Sequence, residues 1–393
     1  MVAHPWDDLG PEHFLAQGSL KWTKHADVTP AFVAEMDFPI ADVILDALAN
    51  NLAAQRFGYL PEHLAQMLSS SVQEFVDREF GWVVPESRIY PVADVLVAYD
   101  TVLQELVSPG APVIVPTPAY MPFLSLTALR GHPVIEVPFI RDGERWVFDL
   151  ERIEKEFLAG AGMIIVCNPH NPLGLVHTEQ ELLALAEVVD RVGGLVFSDE
   201  IHAPLVFDGH HIPYAALNDQ TQNHTVTAMS ASKAWNLAGL KCAQLIVTSD
   251  DHHQALLPKK VMIGHGASTP GVEASIAAYR DGGPWLTEAK NYIRRNIELA
   301  TARLQDAFGK NSFTPPQGTY IGWLDLHNVD PGEHESVADF LLHEARIALT
   351  DGAKCGVVGR GHVRIILATT TPILDGVLTS LISAIDQRGK LPA

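Results

Sequence analysis

Short apolar runs that recur at helix-sized intervals are the feature that most restricts how this chain can fold. Four such runs occupy residues 113–115, 163–167, 195–197 and 245–248. Runs of valine, isoleucine and leucine without polar alternation are typical of strands that are buried on both faces of a parallel sheet. The pattern therefore predicts an α/β fold with a mainly parallel central sheet and helices on both faces.

Capping residues and apolar spacing predict where some of the helices lie. Thr178 precedes Glu181 by three residues and opens an apolar stripe at helical spacing, which is typical of a capping box. A longer helical pattern follows Pro284. Both patterns predict amphipathic helices that cover a buried core.

The distribution of these patterns divides the chain into three parts. From the long helical pattern onwards the chain changes character, with a strand-like run at 320–326, a helical pattern around 337–345 and a strand-like run at 363–367. We predict an N-terminal segment over 1–45 that joins the small domain, a large domain over 46–284, and a small C-terminal α+β domain over 285–393.

The charge balance limits the classes of partner. The chain has 27 lysine and arginine residues against 47 aspartate and glutamate residues, which gives a formal net charge of −20. A field of this sign repels nucleic-acid phosphates and anionic lipid headgroups. Nucleic acid and membrane surfaces are therefore disfavoured as partners, whereas a small-molecule substrate in a locally basic pocket is compatible with the composition.

Cysteine and histidine usage predicts a cytoplasmic protein without a disulfide framework or a metal site. The cysteines are Cys167, Cys242 and Cys355, which are odd in number and far apart. The adjacent histidine pairs at 210–211 and 252–253 do not converge on one ion. The first residues lack a secretory pattern, and no apolar run approaches the roughly 18 residues that span a bilayer.

Small hydroxylated residues surround one lysine of the chain. Lys233 follows a strand-like run, and Ser230, Ser232 and Lys241 lie close to it in the sequence. A lysine in a tight, partly dry turn can act as an amine nucleophile, for instance by forming a Schiff base. Its neighbours could bind a phosphate. From these residues alone, a surface loop with ordinary lysines explains the segment equally well.

Four further side chains lie where a doubly wound sheet would place its chemistry, or in a strand-like run. Tyr120, Asn171 and Asp199 follow predicted strands, and ligands bind at the carboxyl ends of such strands. A buried Asp199 would need a cationic partner, although a helix cap or a surface salt bridge explains an isolated acidic pair more simply. Arg364 suits a carboxylate, but alternation along its run favours the solvent face.

Taken together, these segments resemble the fold-type I pyridoxal 5′-phosphate (PLP) enzymes of the aspartate aminotransferase superfamily. Within that superfamily the chain is most similar to the MalY/PatB branch of cysteine–sulfur β-lyases, which are often called cystathionine β-lyases. The matching motifs keep their order and spacing along most of the chain. They lie at 34–38, 57–59, 117–120, 167–174, 198–202, 230–241, 317–320, 348–352 and around Arg364.

The resemblance implies that the chain binds PLP in the large domain. Lys233 would bind the cofactor covalently, and Asp199 would keep its pyridine nitrogen protonated, so that the ring accepts electrons. Tyr120 would stack on the ring. Asn171 would bind the phenolic oxygen, and His202 would lie near that oxygen. Lys233, Asp199 and Tyr120 would be the catalytic residues.

The resemblance also implies a site for the cofactor phosphate. Ser230, Ser232 and Lys241 would hold the phosphate. The backbone amides of Val95 and Leu96, at the N-terminus of a helix, would complete the site.

Substrate binding and assembly are implied in the same way. Arg364 would clamp the α-carboxylate of the substrate. Tyr59 resembles a tyrosine that reaches the phosphate and the substrate from the partner subunit, which implies a homodimer with a shared active site; His265 could lie near the partner's cofactor. Two departures from the family pattern are Asp94 in place of glycine and Cys355 in place of an aromatic residue.

The expected activity is α,β-elimination from L-cystathionine or a related cysteine S-conjugate, which yields a thiol, pyruvate and ammonia. A PLP-dependent aminotransferase is the first alternative, because the same deprotonated substrate can be reprotonated on the cofactor. The second alternative is a regulatory protein that represses a transcription factor by direct contact, as at least one family member is known to do.

Overall fold

The computed structural model describes residues 4–25, 27–143 and 145–388. The outer ends of the first and last predicted parts, 1–3 and 389–393, lie outside the described residues. The strands are β1 (Thr29–Pro30), β2 (Ile89–Val92), β3 (Val113–Thr117), β4 (Val134–Pro138), β5 (Ile140–Asp142), β6 (Arg145–Val147), β7 (Met163–Cys167), β8 (Leu195–Asp199), β9 (Thr225–Met229), β10 (Ala243–Val247), β11 (Ile321–Asp325), β12 (Ile347–Ala348), β13 (Thr350–Asp351) and β14 (His362–Ile366).

Helices separate most of these strands. The α-helices are α1 (Pro11–Gln17), α2 (Leu20–Thr23), α3 (Asp42–Ala53), α4 (Glu62–Phe80), α5 (Val95–Glu105), α6 (Met121–Leu129), α7 (Leu150–Leu158), α8 (Glu179–Val192), α9 (Asp219–His224), α10 (Ala231–Ala234), α11 (Asp250–Leu256), α12 (Lys260–Gly264), α13 (Thr269–Asp281), α14 (Gly283–Phe308), α15 (Val337–Glu344) and α16 (Thr371–Arg388). Short 3₁₀ helices occupy Pro5–Asp8, Glu86–Arg88, Ala203–Leu205, Tyr214–Ala216, Ala238–Leu240, Leu257–Lys259, Gly352–Cys355 and Val357–Gly359. The predicted capping box at the start of α8 is confirmed.

A seven-stranded sheet of order β2-β10-β9-β8-β7-β3-β4 forms the centre of the fold. The pairs from β9 to β4 are parallel, whereas β10 runs antiparallel to both of its neighbours. The prediction of a mainly parallel sheet is confirmed. Three of the four apolar runs are parallel strands, but the run at 245–248 belongs to the antiparallel β10. A strand that is buried on both faces has the same apolar pattern whether it runs parallel or antiparallel to its neighbours. Hydrophobicity alone therefore does not predict its direction.

Both faces of this sheet are covered, as the uninterrupted apolar runs predict. In β7, Met163 and Ile165 pack into the cluster under α5 and α6, whereas Ile164 and Val166 pack into the cluster under α7 and α8. The carboxyl ends of β3, β7, β8 and β9 meet at one edge of the sheet. The loops that carry the predicted site residues leave the sheet at this edge.

A second, three-stranded sheet of order β11-β14-β13 lies in the C-terminal part of the chain, and the N-terminal β1 pairs in parallel with β12. The division into three parts stays a prediction. Its boundary at 284/285 falls in the first turn of α14. No helix among the described residues is long and apolar enough to cross a membrane.

A buried ion pair anchors the segment that leads from β1 towards α3. Lys21 Nζ lies 2.7 Å from Asp37 Oδ2, and both side chains are at most 4% exposed. The other carboxylate oxygen accepts a hydrogen bond from Trp22 Nε1 at 2.8 Å. The backbone N–H of Asp37 donates to the carbonyl of Ala368 at 2.9 Å. The pair therefore ties the N-terminal segment to the C-terminal part of the chain.

Neutralising one member of this pair is expected to destabilise the protein strongly. Asp37→Asn leaves the Lys21 ammonium buried without a counter-charge, and breaking a buried pair from one side costs about 3–5 kcal/mol. The measurement is the urea midpoint followed by tryptophan fluorescence. Glu79→Gln, which breaks the half-exposed pair with Arg78, is the control and should cost at most about 1 kcal/mol. Equal midpoints for Asp37→Asn and wild type would contradict the prediction.

Candidate active site

A cavity of about 680 Å³ lies between the carboxyl edge of the large sheet and the small sheet. Its walls come from segments as distant in sequence as α2 and β14. All of the predicted site residues except Tyr59 line it: Val95, Leu96, Tyr120, Asn171, Asp199, His202, Ser230, Ser232, Lys233, Lys241 and Arg364. The structure therefore brings together residues that the sequence spreads over 270 positions, from Val95 to Arg364.

Lys233 is the third residue of α10 and lies four residues after the end of β9. Its Nζ donates a hydrogen bond to the carbonyl of Ala34 at 2.9 Å. Burial lowers the pKa of Lys233 to about 8, and the nearby Arg364 guanidinium acts in the same direction, against the carboxylates of Glu35 and Asp199. The surface-loop interpretation of this lysine is wrong, because the amine lies inside the cavity.

Asp199 is the last residue of β8 and is buried. One carboxylate oxygen accepts from the backbone N–H of Ile201 at 3.2 Å, and the other lies 3.8 Å from the thiol of Cys167, its register partner on β7. Burial raises the pKa of Asp199 to about 7. The simpler interpretation as a helix cap or a surface salt bridge is therefore wrong.

The neighbouring acid, Glu200, has a different environment. It is fully buried and accepts hydrogen bonds from the Ser198 hydroxyl at 2.7 Å, from His211 Nε2 at 2.9 Å and from the Tyr214 amide at 3.0 Å. These contacts satisfy its carboxylate within the core. Of the two adjacent acids, Asp199 is the one that lines the cavity.

Arg364 lies on β14, between β11 and β13, and its side chain is buried. Nη1 donates to Asn171 Oδ1 at 3.1 Å, and Nη2 donates to the carbonyl of Phe32 at 3.0 Å. Burial lowers the pKa of Arg364. Strand alternation favoured a solvent-facing side chain, and this expectation is wrong because Asn171, Phe32 and Thr350 surround the guanidinium at the cavity wall.

Two buried nitrogen atoms of the cavity have no hydrogen-bond partner among the described residues: Arg364 Nε and His202 Nδ1. Burial lowers the pKa of His202 to about 3, with the charges of Lys233 and Arg364 adding to the effect, so that the imidazole is neutral. Burial also raises the pKa of Tyr120, which keeps its phenol protonated. Buried nitrogens without a partner are uncommon in proteins, and these two line the cavity, where a ligand can bond them.

A cradle of polar groups lies at the start of α5. Val95 and Leu96 are its first two residues, whose backbone amides have no intrahelical partner. The Ser230 hydroxyl donates to the carbonyl of Cys242 at 2.7 Å and accepts from the Ser232 amide at 3.0 Å. Amides at a helix N-terminus beside hydroxyl groups bind anions well.

The segment 32–36 crosses the cavity and connects these groups through its backbone. The carbonyl of Ala34 accepts from Lys233 and also from the Tyr320 hydroxyl at 3.0 Å. The side chain of Asn236 bonds both the amide and the carbonyl of Met36, at 2.9 and 2.8 Å. The segment thereby holds the loop of the reactive lysine against the C-terminal part of the chain.

Tyr59 lies outside the cavity of its own chain. Its side chain is 86% exposed, and its ring centroid lies 5.5 Å from that of His265. Both residues line a shallow depression together with the residues around Thr269. The structure therefore groups Tyr59 with His265, away from Lys233.

Sequence patterns missed several polar residues at the mouth of the cavity. They are Lys24, His25, Glu335, Asp339 and Lys354. Lys24 and His25 follow α2, Glu335 and Asp339 lie around the start of α15, and Lys354 lies in the 3₁₀ helix after β13, all outside the family motifs. Thr350 and Asp351, which belong to the motif at 348–352, also line the cavity. The packing of these segments around the cavity brings the residues together. Within the described ranges, no group of three or more histidine, cysteine or acidic side chains could hold a metal ion.

Comparisons with known proteins agree with this arrangement. The family model for aminotransferase class I and II matches residues 33–381. The cystathionine beta-lyase of Corynebacterium glutamicum is 33% identical, with 88% of this chain and 91% of that protein covered. The cystathionine beta-lyase PatB of Bacillus subtilis is 31% identical, with 90% and 93% covered.

A solved structure agrees with the fold over nearly the whole chain. The crystal structure of a Corynebacterium diphtheriae protein, provisionally assigned as a PLP-dependent β-cystathionase, is 32% identical and superposes with a TM-score of 0.89. The superposition covers 97% of this chain and 99% of that one. The resemblance inferred from the motifs is confirmed, and this chain belongs to the aminotransferase class I and II family.

Proposed function

We propose that this chain is a PLP-dependent cysteine–sulfur β-lyase that cleaves L-cystathionine or related cysteine S-conjugates. The observation that carries the proposal is the meeting of Lys233, Asp199 and Arg364 in one cavity. Relatives named cystathionine β-lyase, which match over most of their length, support the same activity.

The donor set of the cavity fits PLP. The amine of Lys233 suits an aldehyde, and the amides of Val95 and Leu96 suit a phosphate. Asp199 is buried and has no strong cationic partner, so a protonated pyridine nitrogen would satisfy it. His202 Nδ1, buried without a partner, can bond a polar atom of the ring. When bound, PLP supplies an electron sink for the negative charge that develops on the substrate Cα.

The remaining chemistry belongs to the side chains of this protein. Arg364 binds and orients the α-carboxylate, as a planar fork with Nε available. The amine of Lys233, whose pKa is about 8, takes the proton from Cα near neutral pH. Tyr120, which lines the same cavity and is protonated because its pKa is raised, is the proposed donor of a proton to the departing thiolate. The Cβ–S bond breaks, and water converts the three-carbon remainder to pyruvate and ammonia.

An aminotransferase would use the same lysine, acid and arginine, and no contact among the described residues favours it separately. The regulatory alternative also has no contact of its own to support it. We further propose a cytoplasmic location, because the three cysteines are buried and unpaired.

We also propose a homodimer with a shared active site. Phe57 and Tyr59 are 62% and 86% exposed, and Val261 and Met262 of α12 are 81% and 73% exposed. Exposed apolar side chains concentrated in this way are typical of an interface. The loop after α12 lies against Ala93, which precedes the phosphate cradle. A partner that covers this surface would therefore lie next to the cradle.

We also propose that two lysines at the mouth of the cavity bind the distal end of the substrate. Lys24 and Lys354 line the mouth of the cavity, and no ion pair involves either of them in the described part of the chain. Lys24 Nζ lies 5.1 Å from the ring centroid of Phe32. Glu335, Asp339 and Asp351 also line this mouth, but in the described part of the chain none of them pairs with either lysine, so both ammonium groups are available to a ligand carboxylate. Since Arg364 is proposed for the α-carboxylate, these lysines suit a second carboxylate, such as that of cystathionine.

Lys233→Ala is expected to abolish both cofactor attachment and turnover. Wild type, incubated with PLP, should develop a visible absorption band that borohydride removes, and it should release pyruvate from L-cystathionine. Lys155→Ala, an exposed lysine on α7, is the control and should behave as wild type. Transfer of amino groups to a 2-oxo acid faster than pyruvate release would instead favour the aminotransferase.

A mixed dimer tests the shared site. We expect Tyr59→Ala and Lys233→Ala homodimers each to lack activity, because one loses the partner's contribution and the other the amine. Differently tagged, co-expressed subunits give a purified mixed dimer with one intact site and about half of wild-type pyruvate release. A chain that sediments as a monomer, or an inactive mixed dimer, would contradict a shared site.

Removing the two lysines at the mouth should affect a substrate that has a distal carboxylate more than one that lacks it. Lys24→Met/Lys354→Met is expected to lower kcat/KM for L-cystathionine at least about tenfold, because a lost charge-assisted hydrogen bond costs about 1.5–3 kcal/mol. S-ethyl-L-cysteine, which lacks the second carboxylate, should change by less than about twofold. Lys155→Met is the matched control. Equal losses on both substrates would refute distal recognition.

A further inference from the structure

Asp94, one of the two departures from the family pattern, has two partners at the phosphate cradle. Its Oδ1 accepts a hydrogen bond from the Val97 amide at 2.9 Å, as the N-cap of α5. Its Oδ2 lies 2.9 Å from Lys241 Nζ. Asp94 and Lys241 both line the cavity that holds Lys233. One carboxylate thus contacts Lys241, the cation proposed for the phosphate, and the amide of Val97, which follows the Val95 and Leu96 amides proposed for the phosphate.

The contacts of Asp94 overlap with those proposed for a bound phosphate, because both involve Lys241 and the first turn of α5. A helix N-terminus carries a partial positive charge that stabilises anions. Here an anion of the chain itself already occupies that position and neutralises the ammonium of Lys241. A phosphate monoester at the first amides of α5 would lie next to this carboxylate, and like charges at such separations repel each other.

We infer that Asp94 is an internal competitor of the cofactor phosphate, which must displace it from Lys241 in order to bind. This inference rests on the proposed function, because the phosphate is that of PLP. It follows that the chain binds PLP more weakly than it would with a neutral N-cap. It also follows that the penalty is specific to ligands that carry a phosphate, since Asp94 contacts the cradle and not the lysine that binds the aldehyde.

Asp94→Asn removes the negative charge at position 94 but keeps a side chain that can cap α5. Asparagine is as good an N-cap as aspartate, so the hydrogen bond to the Val97 amide can remain. The ion pair itself is partly exposed, with side chains 36% and 57% accessible, and such pairs contribute little to stability. The substitution therefore removes the negative charge without an expected loss of folding.

The test is a titration of the cofactor-stripped, full-length protein, followed by absorbance and tryptophan fluorescence. We expect Asp94→Asn to lower the dissociation constant of PLP about tenfold. The constant for pyridoxal, which has no phosphate, should change by less than about twofold. Asp149→Asn is the matched control, because Asp149 is the N-cap of α7 and accepts from the Arg152 amide at 3.0 Å.

A double variant tests whether Asp94 acts through its ion pair with Lys241. If Asp94 acts by holding this ammonium, Asp94→Asn/Lys241→Gln should lose most of the gain in PLP affinity. Inorganic phosphate should raise the Tm of Asp94→Asn more than that of wild type, which gives a measurement without the aldehyde.

Two results distinguish a failure of the inference about Asp94 from a failure of the proposed function. An unchanged or weaker PLP affinity in Asp94→Asn, with normal binding by wild type, would overturn the competition and leave the proposed function intact. If neither protein binds PLP through Lys233, the proposed function fails. The phosphate-dependent Tm still reports on Asp94 in that case, and an equal rise in both proteins overturns the inference.

Discussion

Loss of water at the carboxyl edge of the central sheet is the constraint on which the rest of this site depends. The same burial lowers the pKa of Lys233 to about 8 and raises that of Asp199 to about 7. Desolvation disfavours whichever form is charged, so it acts in opposite directions on an amine and on an acid. One physical cause thus yields an amine that can be neutral and an acid that can retain or exchange a proton near neutral pH.

Keeping water out requires parts of the chain that are far apart in sequence. The backbone of segment 32–36 accepts hydrogen bonds from Arg364 on one side and from Lys233 on the other. Asp37, which follows this segment, is held by the buried Lys21 and by the backbone of Ala368. The site is therefore closed by contacts between the first forty residues and the C-terminal part of the chain, and its electrostatics depend on the tertiary structure as a whole.

The balance of charge around the cavity differs from that of the whole chain. Five lysine and arginine side chains and five aspartate and glutamate side chains line the cavity, whereas the chain has a formal net charge of −20. Arg364 is buried, and its partners are the Asn171 and Thr350 side chains and the carbonyl of Phe32, whereas Lys241 is paired with Asp94. The first arrangement leaves a cation for a ligand carboxylate; the second neutralises a cation before any ligand arrives. Arg364 is thus available to an anionic ligand, whereas Lys241 is available only after Asp94 is displaced.

The sequence by itself determined the buried strands, the capping box of α8 and the identity of most cavity residues. These features are local: an apolar run or a motif is read from adjacent positions, and family motifs keep their spacing. Only the tertiary structure decided the direction of β10, the inward orientation of Arg364, the lysines at the mouth and the contact between Asp94 and Lys241. Each of these depends on which surface covers a strand or which segment lies opposite, because burial and charge pairing arise between residues that are distant along the chain.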